Sequence, residues 1–382
     1  MLINNLRNYI DAAFSGLWIE TYEPEEAIRE IDTLCRDEKW CYDVWDIEQG
    51  LKQGSEVQSM DPLSVVQNLG SLAPGETPFL LVLRNFHRFL GSIEIVQAVE
   101  RQITQGKTRR AFIIVLAPVI QVPPELEKLF QILEHPLPDR EQLRQIATEI
   151  AGELPDEPNT HRVLDAAAGM TRLEAEGAFS LSIVEHDALL PEPIWKLKAN
   201  MLRQSSALRL YRGEIPCLGG LDNLTLFCNR ILSKNGQGQN ERAKGVMLLG
   251  VSGSGKSAFC KRLGYNVHRP TLVLDIGALM GSLVGQTEAA LRKSLKQIDA
   301  MSPCLVMIDE VEKAITTGGN DGGVSARIFG TLLSWLNDRE SDSFVVCTTI
   351  DENEKGSVKR IFLKRIFDQS GETVERFSHI DG

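Results

Sequence analysis

Gly250, Gly255, Lys256 and Ser257 stand in the spacing G-x-x-x-x-G-K-S, the P-loop pattern, and that spacing suits phosphate. Glycines let backbone N–H groups turn inward around phosphate oxygens with no Cβ in the way. A helix beginning at Lys256 adds the positive end of its dipole. Lys256 then reaches the outer phosphates of a nucleoside triphosphate, and the Ser257 hydroxyl is a ligand for Mg2+. A second pair of reactive types, Asp309 and Glu310, ends the apolar run 304–308. Asp309 suits a hold on Mg2+ through the ion's water shell, and Glu310 suits polarising an attacking water as general base. Alone, an apolar run ending in Asp-Glu is a common pattern. Downstream of a P-loop, at a distance that admits one βα unit, it reads as a Walker B signature.

The elements that must position these residues are legible in the periodicity. Apolar runs at 246–249, 271–274, 304–308 and 344–348 suit parallel strands buried on both faces. Between them, Leu291, Leu295 and Ile298 share one face of a helix over 287–299, and Ile328, Phe329, Leu332, Leu333 and Leu336 one face of a helix over 324–338. An amphipathic helix over 222–234 precedes the P-loop strand. The first half repeats the alternation, with strands at 16–21, 40–46, 79–83 and 112–116 and helices over 24–37 and 92–105. Asp139 then reads as an N-cap ahead of Leu143, Ile146 and Ile150, and helix continues over 161–185. The stretch 187–216 carries Pro191, Pro193 and Pro216 among Lys196, Lys198, Arg203, Arg209 and Arg212, and reads as a linker with a solvated basic helix. The other reading is a surface for an acidic partner.

The first half lacks the chemistry of the second. Its first strand runs into Glu20-Thr21-Tyr22-Glu23-Pro24-Glu25-Glu26, with no glycine, no lysine and four carboxylates that repel a triphosphate. The strand that should end in a metal-binding aspartate ends in Arg84-Asn85. A structural or regulatory role is expected there.

Bulk properties narrow the class. A chain of 382 residues is long for one core, so two domains are expected. Hydrophobic residues make up 43% and charged residues 24%, as in globular proteins free in water. The net charge of −11 argues against broad binding to nucleic acid or anionic membranes. Seven cysteines (35, 41, 217, 228, 260, 304 and 347) show no C-x-x-C pair or zinc spacing and read as reduced, mostly buried thiols. The first residues lack a signal-peptide layout, and no apolar run approaches the ~18 residues of a membrane span.

Three stretches carry a family resemblance: Leu-Met-Gly-Ser-Leu-Val-Gly-Gln-Thr-Glu (279–288), Ile-Asp-Glu-Val-Glu-Lys (308–313) and Ser-Ala-Arg-Ile-Phe-Gly-Thr-Leu-Leu-Ser-Trp-Leu (325–336). They resemble AAA-type ATPases and, more narrowly, the two-module "hypothetical chloroplast frame 46" type of cyanobacteria and plastids, whose first module is degenerate. The first half is similar to it through 122–128, 136–141 and 169–175. The resemblance implies an α/β fold of two tandem P-loop-type parallel-sheet modules, the first degenerate and followed by a helical lid, the second without one. The expected domains are a degenerate module over 1–135, its lid over 136–187, a linker over 188–216, an ATPase core over 217–368 and a polar tail over 369–382. It implies ATP and Mg2+ as ligands. The phosphate cradle runs through Gly250, Val251, Ser252, Gly253, Ser254, Gly255, Lys256, Ser257 and Ala258, and Leu218 and Gly219 flank the adenine. It further implies a homo-oligomeric ring such as a hexamer, with Leu283-Val284-Gly285 on a central-pore loop. A protein client of unspecified identity, and a cyanobacterium-like cytoplasm or chloroplast stroma, complete what it implies.

The sequence departs from the family in four places. The strand ending in Thr-Ala-Asn-Asp is here Thr348-Thr349-Ile350-Asp351, so the asparagine that senses the γ-phosphate is an isoleucine. Losing one positioned polar group weakens hydrolysis by roughly 10–100-fold. The pore position that carries an aromatic is Leu283, and the candidate arginine fingers, Arg360 and Arg365, do not match the family's spacing; Arg365 is the one assigned. The family continues into a fifth strand and a lid, while 369–382 is polar, which would leave the P-loop strand near a sheet edge. Two functions follow: an Mg-ATP-hydrolysing ring that remodels a protein partner, or an ATP-binding scaffold that hydrolyses poorly. A nucleic-acid motor is disfavoured by the acidic charge.

Overall fold

The computed structural model describes residues 2–53, 56–58, 61–73, 77–205, 207–213, 221–234, 244–250, 253–280, 286–309, 311 and 324–349. The chain falls into two compact units: residues 1–137 with 171–173, and residues 138–170 with 174–382.

The first unit runs α1 (Leu2–Asp11), β1 (Gly16–Glu20), α2 (Pro24–Glu38), β2 (Cys41–Asp46), β3 (Gly50–Gln53), β4 (Glu56–Gln58), α3 (Pro62–Gln67), α4 (Leu69–Leu72), β5 (Phe79–Arg84), α5 (Ile93–Arg109), β6 (Ala111–Ala117) and β7 (Phe130–Glu134). Pro24 opens α2, where its missing N–H costs nothing, and Glu25 and Glu26 face the positive end of the helix dipole. The sheet order is β4-β3-β2-β5-β6-β1-β7. Strands β2, β5, β6, β1 and β7 are parallel. Because successive side chains alternate faces, Trp18, Leu81, Leu83, Ile113 and Val115 enter one core, and Leu17, Ile19, Leu80, Val82, Phe112 and Ile114 the other. The strands and the two long helices expected from the sequence are all present. The hairpin strands β3 and β4, the edge strand β7 and helices α1, α3 and α4 add to them; β3, β4, β7, α3 and α4 are too brief to carry a period, whereas Leu2, Leu6 and Ile10 recur at helical spacing on α1.

The second unit follows with α6 (Arg140–Ala151), α7 (Glu157–Ala167), α8 (Arg172–His186), α9 (Pro191–Ser205), β8 (Leu208–Tyr211), α10 (Asp222–Lys234), β9 (Gly245–Leu249), α11 (Lys256–Asn266), β10 (Thr271–Leu274), α12 (Ile276–Met280), α13 (Gln286–Ala300), β11 (Cys304–Ile308), α14 (Val324–Asp338) and β12 (Ser343–Thr349). Asp139 caps α6 as expected: its carboxylate accepts from Glu141 and Gln142 N–H, while the Gln142 side chain accepts from Asp139 N–H. The continuous helix expected over 161–185 is two helices, with α7 ending at Ala167 and α8 starting at Arg172. The sheet order is β8-β10-β11-β12-β9, antiparallel only at β8. Among the described residues the P-loop strand β9 is therefore an edge strand.

Two expectations need correcting. The sequence groups the helical block after residue 136 with the first module. In the structure Leu143, Ile146, Val163, Leu164, Ala178 and Phe179 join one apolar core with Leu272, Leu274, Val306, Ile308 and Val345, so the block packs in the second unit. Continuity of buried apolar surface, not order along the chain, sets this grouping. The stretch 188–216 is not a bare linker either. It forms α9 and β8, and β8 pairs with β10 from Leu208↔Leu274 to Tyr211↔Thr271. Nor is its basic helix fully solvated. Lys198 is 3% exposed, its ammonium donates to the Ala168 carbonyl, and it lies 4.6 Å from the centre of the Trp195 ring. Burial pushes its pKa down to about 7, against partial support from Cys304, Glu174 and Asp165.

Candidate functional site

Strand register builds the site. Ile308 pairs with Cys347 across β11 and β12, so the residues that follow, Asp309 and Thr348, arrive side by side at the carboxyl edge of the sheet. Thr348 and Thr349 pair in turn with Leu248 and Leu249, which brings the end of β9 and Gly250 to the same edge. In parallel α/β sheets this edge is where ligands bind.

Beyond Gly250, the described residues Gly253, Ser254 and Gly255 lead into α11. Gly253 and Gly255 have φ of 80° and 86°, in the left-handed region that an L side chain avoids, and a Cβ at either would meet open space. Glycine is thus required there for backbone conformation, and the space left beside it is free for another occupant. Gly255 is the N-cap of α11, and a glycine has no side chain to take up the first N–H groups of that helix.

Lys256 folds back over this loop, its Nζ donating to the Gly250 carbonyl at 2.8 Å and to Ser254 Oγ at 3.4 Å. Ser257, one turn position further, has its Oγ 3.1 Å from Asp309 Oδ2 and 3.3 Å from Oδ1. The Thr348 hydroxyl donates to Asp309 Oδ1. A hydroxyl and a carboxylate facing each other beside a glycine loop are hard oxygen donors, the set that suits Mg2+ shared with phosphate, and not a softer metal. Among the described residues no group of three or more His, Cys, Asp or Glu side chains could hold a metal by itself.

Cys228, Cys260 and Cys347 are buried free thiols. Burial raises the pKa of Cys260 and Cys347 well above the usual thiol range, and the Asp309 charge adds to the rise at Cys260. Cys228 is pushed up to about 12 by burial as well.

Of the residues singled out from the sequence, the structure brings Gly250, Gly253, Ser254, Gly255, Lys256, Ser257, Ala258 and Asp309 to one sheet edge. Leu218, Gly219, Val251, Ser252, Leu283, Val284, Gly285, Glu310, Ile350, Arg360 and Arg365 lie outside the described residues. Thr348 was read only as the end of a strand. Its available signal was a hydroxyl residue at the end of the strand next to the Asp-Glu strand.

The corresponding edge of the first unit is closed. The Thr21 hydroxyl, just past β1, accepts from Glu23 N–H at 2.9 Å and lies 2.8 Å from His135 Nδ1. Arg84, at the end of β5, pairs with Glu25 at 2.9 Å and reaches Asp46 at 3.9 Å. Glu23 accepts from Leu173 N–H at 3.0 Å, and Glu26 pairs with Arg172 at 3.4 Å.

Family models match in three consecutive blocks: "SpoVK-like AAA ATPase, N-terminal domain" over 2–135, "SpoVK-like AAA ATPase, second domain" over 140–205, and "ATPase family associated with various cellular activities (AAA)" over 246–367. Between them they account for most of the chain. It belongs to the AAA ATPase family. Its relatives include AAA domain-containing proteins named ycf46. That of Guillardia theta is 26% identical over 366 residues, covering 91% of this chain and 72% of the relative. That of Trieres chinensis is 29% identical over 321 residues, covering 80% and 64%. That of Gracilaria tenuistipitata var. liui is 27% identical over 311 residues, covering 75% and 62%. The chain thus spans between 62% and 72% of the length of these three relatives. The expected α/β fold with two mainly parallel sheets is that of the family. Among the described residues no helix of this AAA protein is long and apolar enough to cross a membrane.

Proposed function

We propose that this AAA protein binds Mg-ATP at the edge formed by residues 250–258 and 309, hydrolyses it to ADP and phosphate, and uses the cycle to remodel a protein partner from a ring of identical chains. The observation that carries the reading is the Ser257 hydroxyl held 3.1 Å from the Asp309 carboxylate beside the glycine loop. Backbone N–H groups of the loop and of the first turn of α11 cradle the phosphates. Lys256 exchanges its hold on the Gly250 carbonyl for the outer phosphates. Ser257 and Asp309 would hold Mg2+, which would supply positive charge beside the phosphate oxygens. Glu310 takes the proton of the attacking water. Leu218 and Gly219 flank the adenine, and Arg365 is the arginine that a neighbouring copy receives. The core over 217–368 would do this chemistry, and the unit before it would be regulatory.

The test is turnover and nucleotide affinity of the full chain, with Mg2+ and with EDTA, in wild type and Glu310→Gln. The expected result is Mg-dependent turnover that falls at least a hundredfold in the variant while ATP affinity holds. Turnover unchanged by Glu310→Gln would mean that the activity belongs to another site. A second reading, an ATP-binding scaffold with poor hydrolysis, is favoured by Ile350, whose side chain has no group to orient water. Tight Mg-ATP binding with wild-type turnover no faster than the protein-free background selects it.

A further inference from the structure

The geometry points to Thr348 as a positioning residue that fixes which oxygen of Asp309 is turned toward Ser257 and the metal position. This rests on the reading of residues 250–258 and 309 as an Mg-ATP site.

Asp309 has two oxygens, and the structure treats them differently. Oδ1 accepts from the Thr348 hydroxyl, while Oδ2 makes the shorter contact with Ser257 Oγ, 3.1 Å against 3.3 Å for Oδ1. Ser257 has a single proton and cannot by itself hold both oxygens. The terminal torsion of an aspartate is broad, so without a second hold the carboxylate is free to swing. Thr348 supplies that hold from rigid structure. It is 1% exposed and lies in β12, a strand paired on both sides, with β11 and with β9. Its branched Cβ restricts χ1 further. The strand carrying the hydroxyl is thus bonded to both strands that build the site, the one ending in Asp309 and the one opening the glycine loop. Two residues further along the sequence is Ile350, whose side chain has no group to donate a hydrogen bond. Thr348 is therefore the polar tie between this strand and the metal position that the described residues contain.

The role differs from merely satisfying a buried hydroxyl. A structural hydroxyl would alter folding stability equally with and without metal. A positioning hydroxyl alters the response to Mg2+ and spares nucleotide binding in its absence. Outer partners of metal ligands are worth about 10–100-fold in metal affinity.

The experiment titrates Mg2+ against the full-length protein and a fluorescent ATP analogue, with a parallel titration in EDTA and a thermal melt to certify folding. For Thr348→Val the expected result is a Mg2+ midpoint raised about tenfold, with Mg-free affinity for the analogue within about twofold of wild type. Thr348→Ala, which removes the hydroxyl without adding a methyl, should behave alike. Thr348→Ser, which keeps the donor, should return the midpoint to within about twofold. A wild type that binds more tightly with Mg2+ while folded Thr348→Val and Thr348→Ala share its midpoint overturns the inference and leaves the site intact. So does a Thr348→Ser variant as defective as Thr348→Val. A wild type that binds no nucleotide under either condition overturns the nucleotide reading and this inference with it.

Discussion

At the carboxyl edge of the first sheet the turn after β1 is closed by side chains; at the same edge of the second sheet the turn after β9 is opened by glycine. Each edge lies at the carboxyl ends of parallel strands with a helix after the turn, α2 in one and α11 in the other, and the residues of the two turns differ. In the first, Thr21 is tied to His135, and the carboxylates of the turn are taken up by Arg84, Arg172 and the Leu173 N–H. In the second, Gly253 and Gly255 hold positive φ, Lys256 caps the loop, and Ser257 faces Asp309. The lesson is that a parallel sheet makes a ligand edge available, and the first turn decides whether backbone donors or side chains occupy it.

The sharpest test of that contrast is a matched pair of substitutions. Lys256→Ala should weaken ATP binding by about a hundredfold, the scale of losing a charge-assisted contact to phosphate, read by titration of a fluorescent analogue. Arg84→Ala, which frees Glu25 and Asp46 at the closed edge, should leave ATP affinity within about twofold and lower stability by under 1 kcal/mol, since Glu25 is largely exposed. Equal losses of affinity from both substitutions would erase the distinction between the edges.

Next in size is the substitution that restores a polar group downstream of the open edge. Ile350→Asn should raise kcat about tenfold with little change in affinity, because an asparagine there can orient water. A kcat that stays level would show that hydrolysis is limited elsewhere.

A further effect concerns charge in the core of the second unit. Lys198 has a folded pKa of about 7, below the ordinary lysine value, because burial disfavours its charged form. The unfolded chain therefore binds more protons above pH 7, and stability rises with pH, by up to about 1.4 kcal/mol per pH unit. Above about pH 8.5 the buried cysteines oppose this, since their thiols ionise only in the unfolded chain. The clean window is pH 7–8.5, comparing denaturant melts of wild type and Lys198→Met: the stability difference should tilt toward wild type as pH rises. Parallel curves would place Lys198 in water.

How much was legible depends on how local the signal is. Gly250 to Ser257 and Asp309 could be read because their spacing along the chain is itself the chemistry. The long strands could be read because a strand buried on both faces must be an apolar run, as at Phe79–Leu83 and Phe344–Val346. The short β3, β4 and β8 have no such run. The helices over 140–186 were read as helix, yet their apolar stripes say only that something covers them. The same stripe fits either module, and only packing against Leu272, Val306 and Val345 chose the second unit.

By itself, then, the sequence determined the kinds of element, the phosphate-type loop and the absence of that loop from the first half. These follow from torsional preference, periodicity and residue type within short windows. Only the tertiary structure decided that Thr348 holds Asp309, that Lys198 is buried under Trp195 and that β8 closes the second sheet. Each of these depends on register or packing between segments far apart along the chain. That information is absent from any one window, because it is set by the free energy of the whole core.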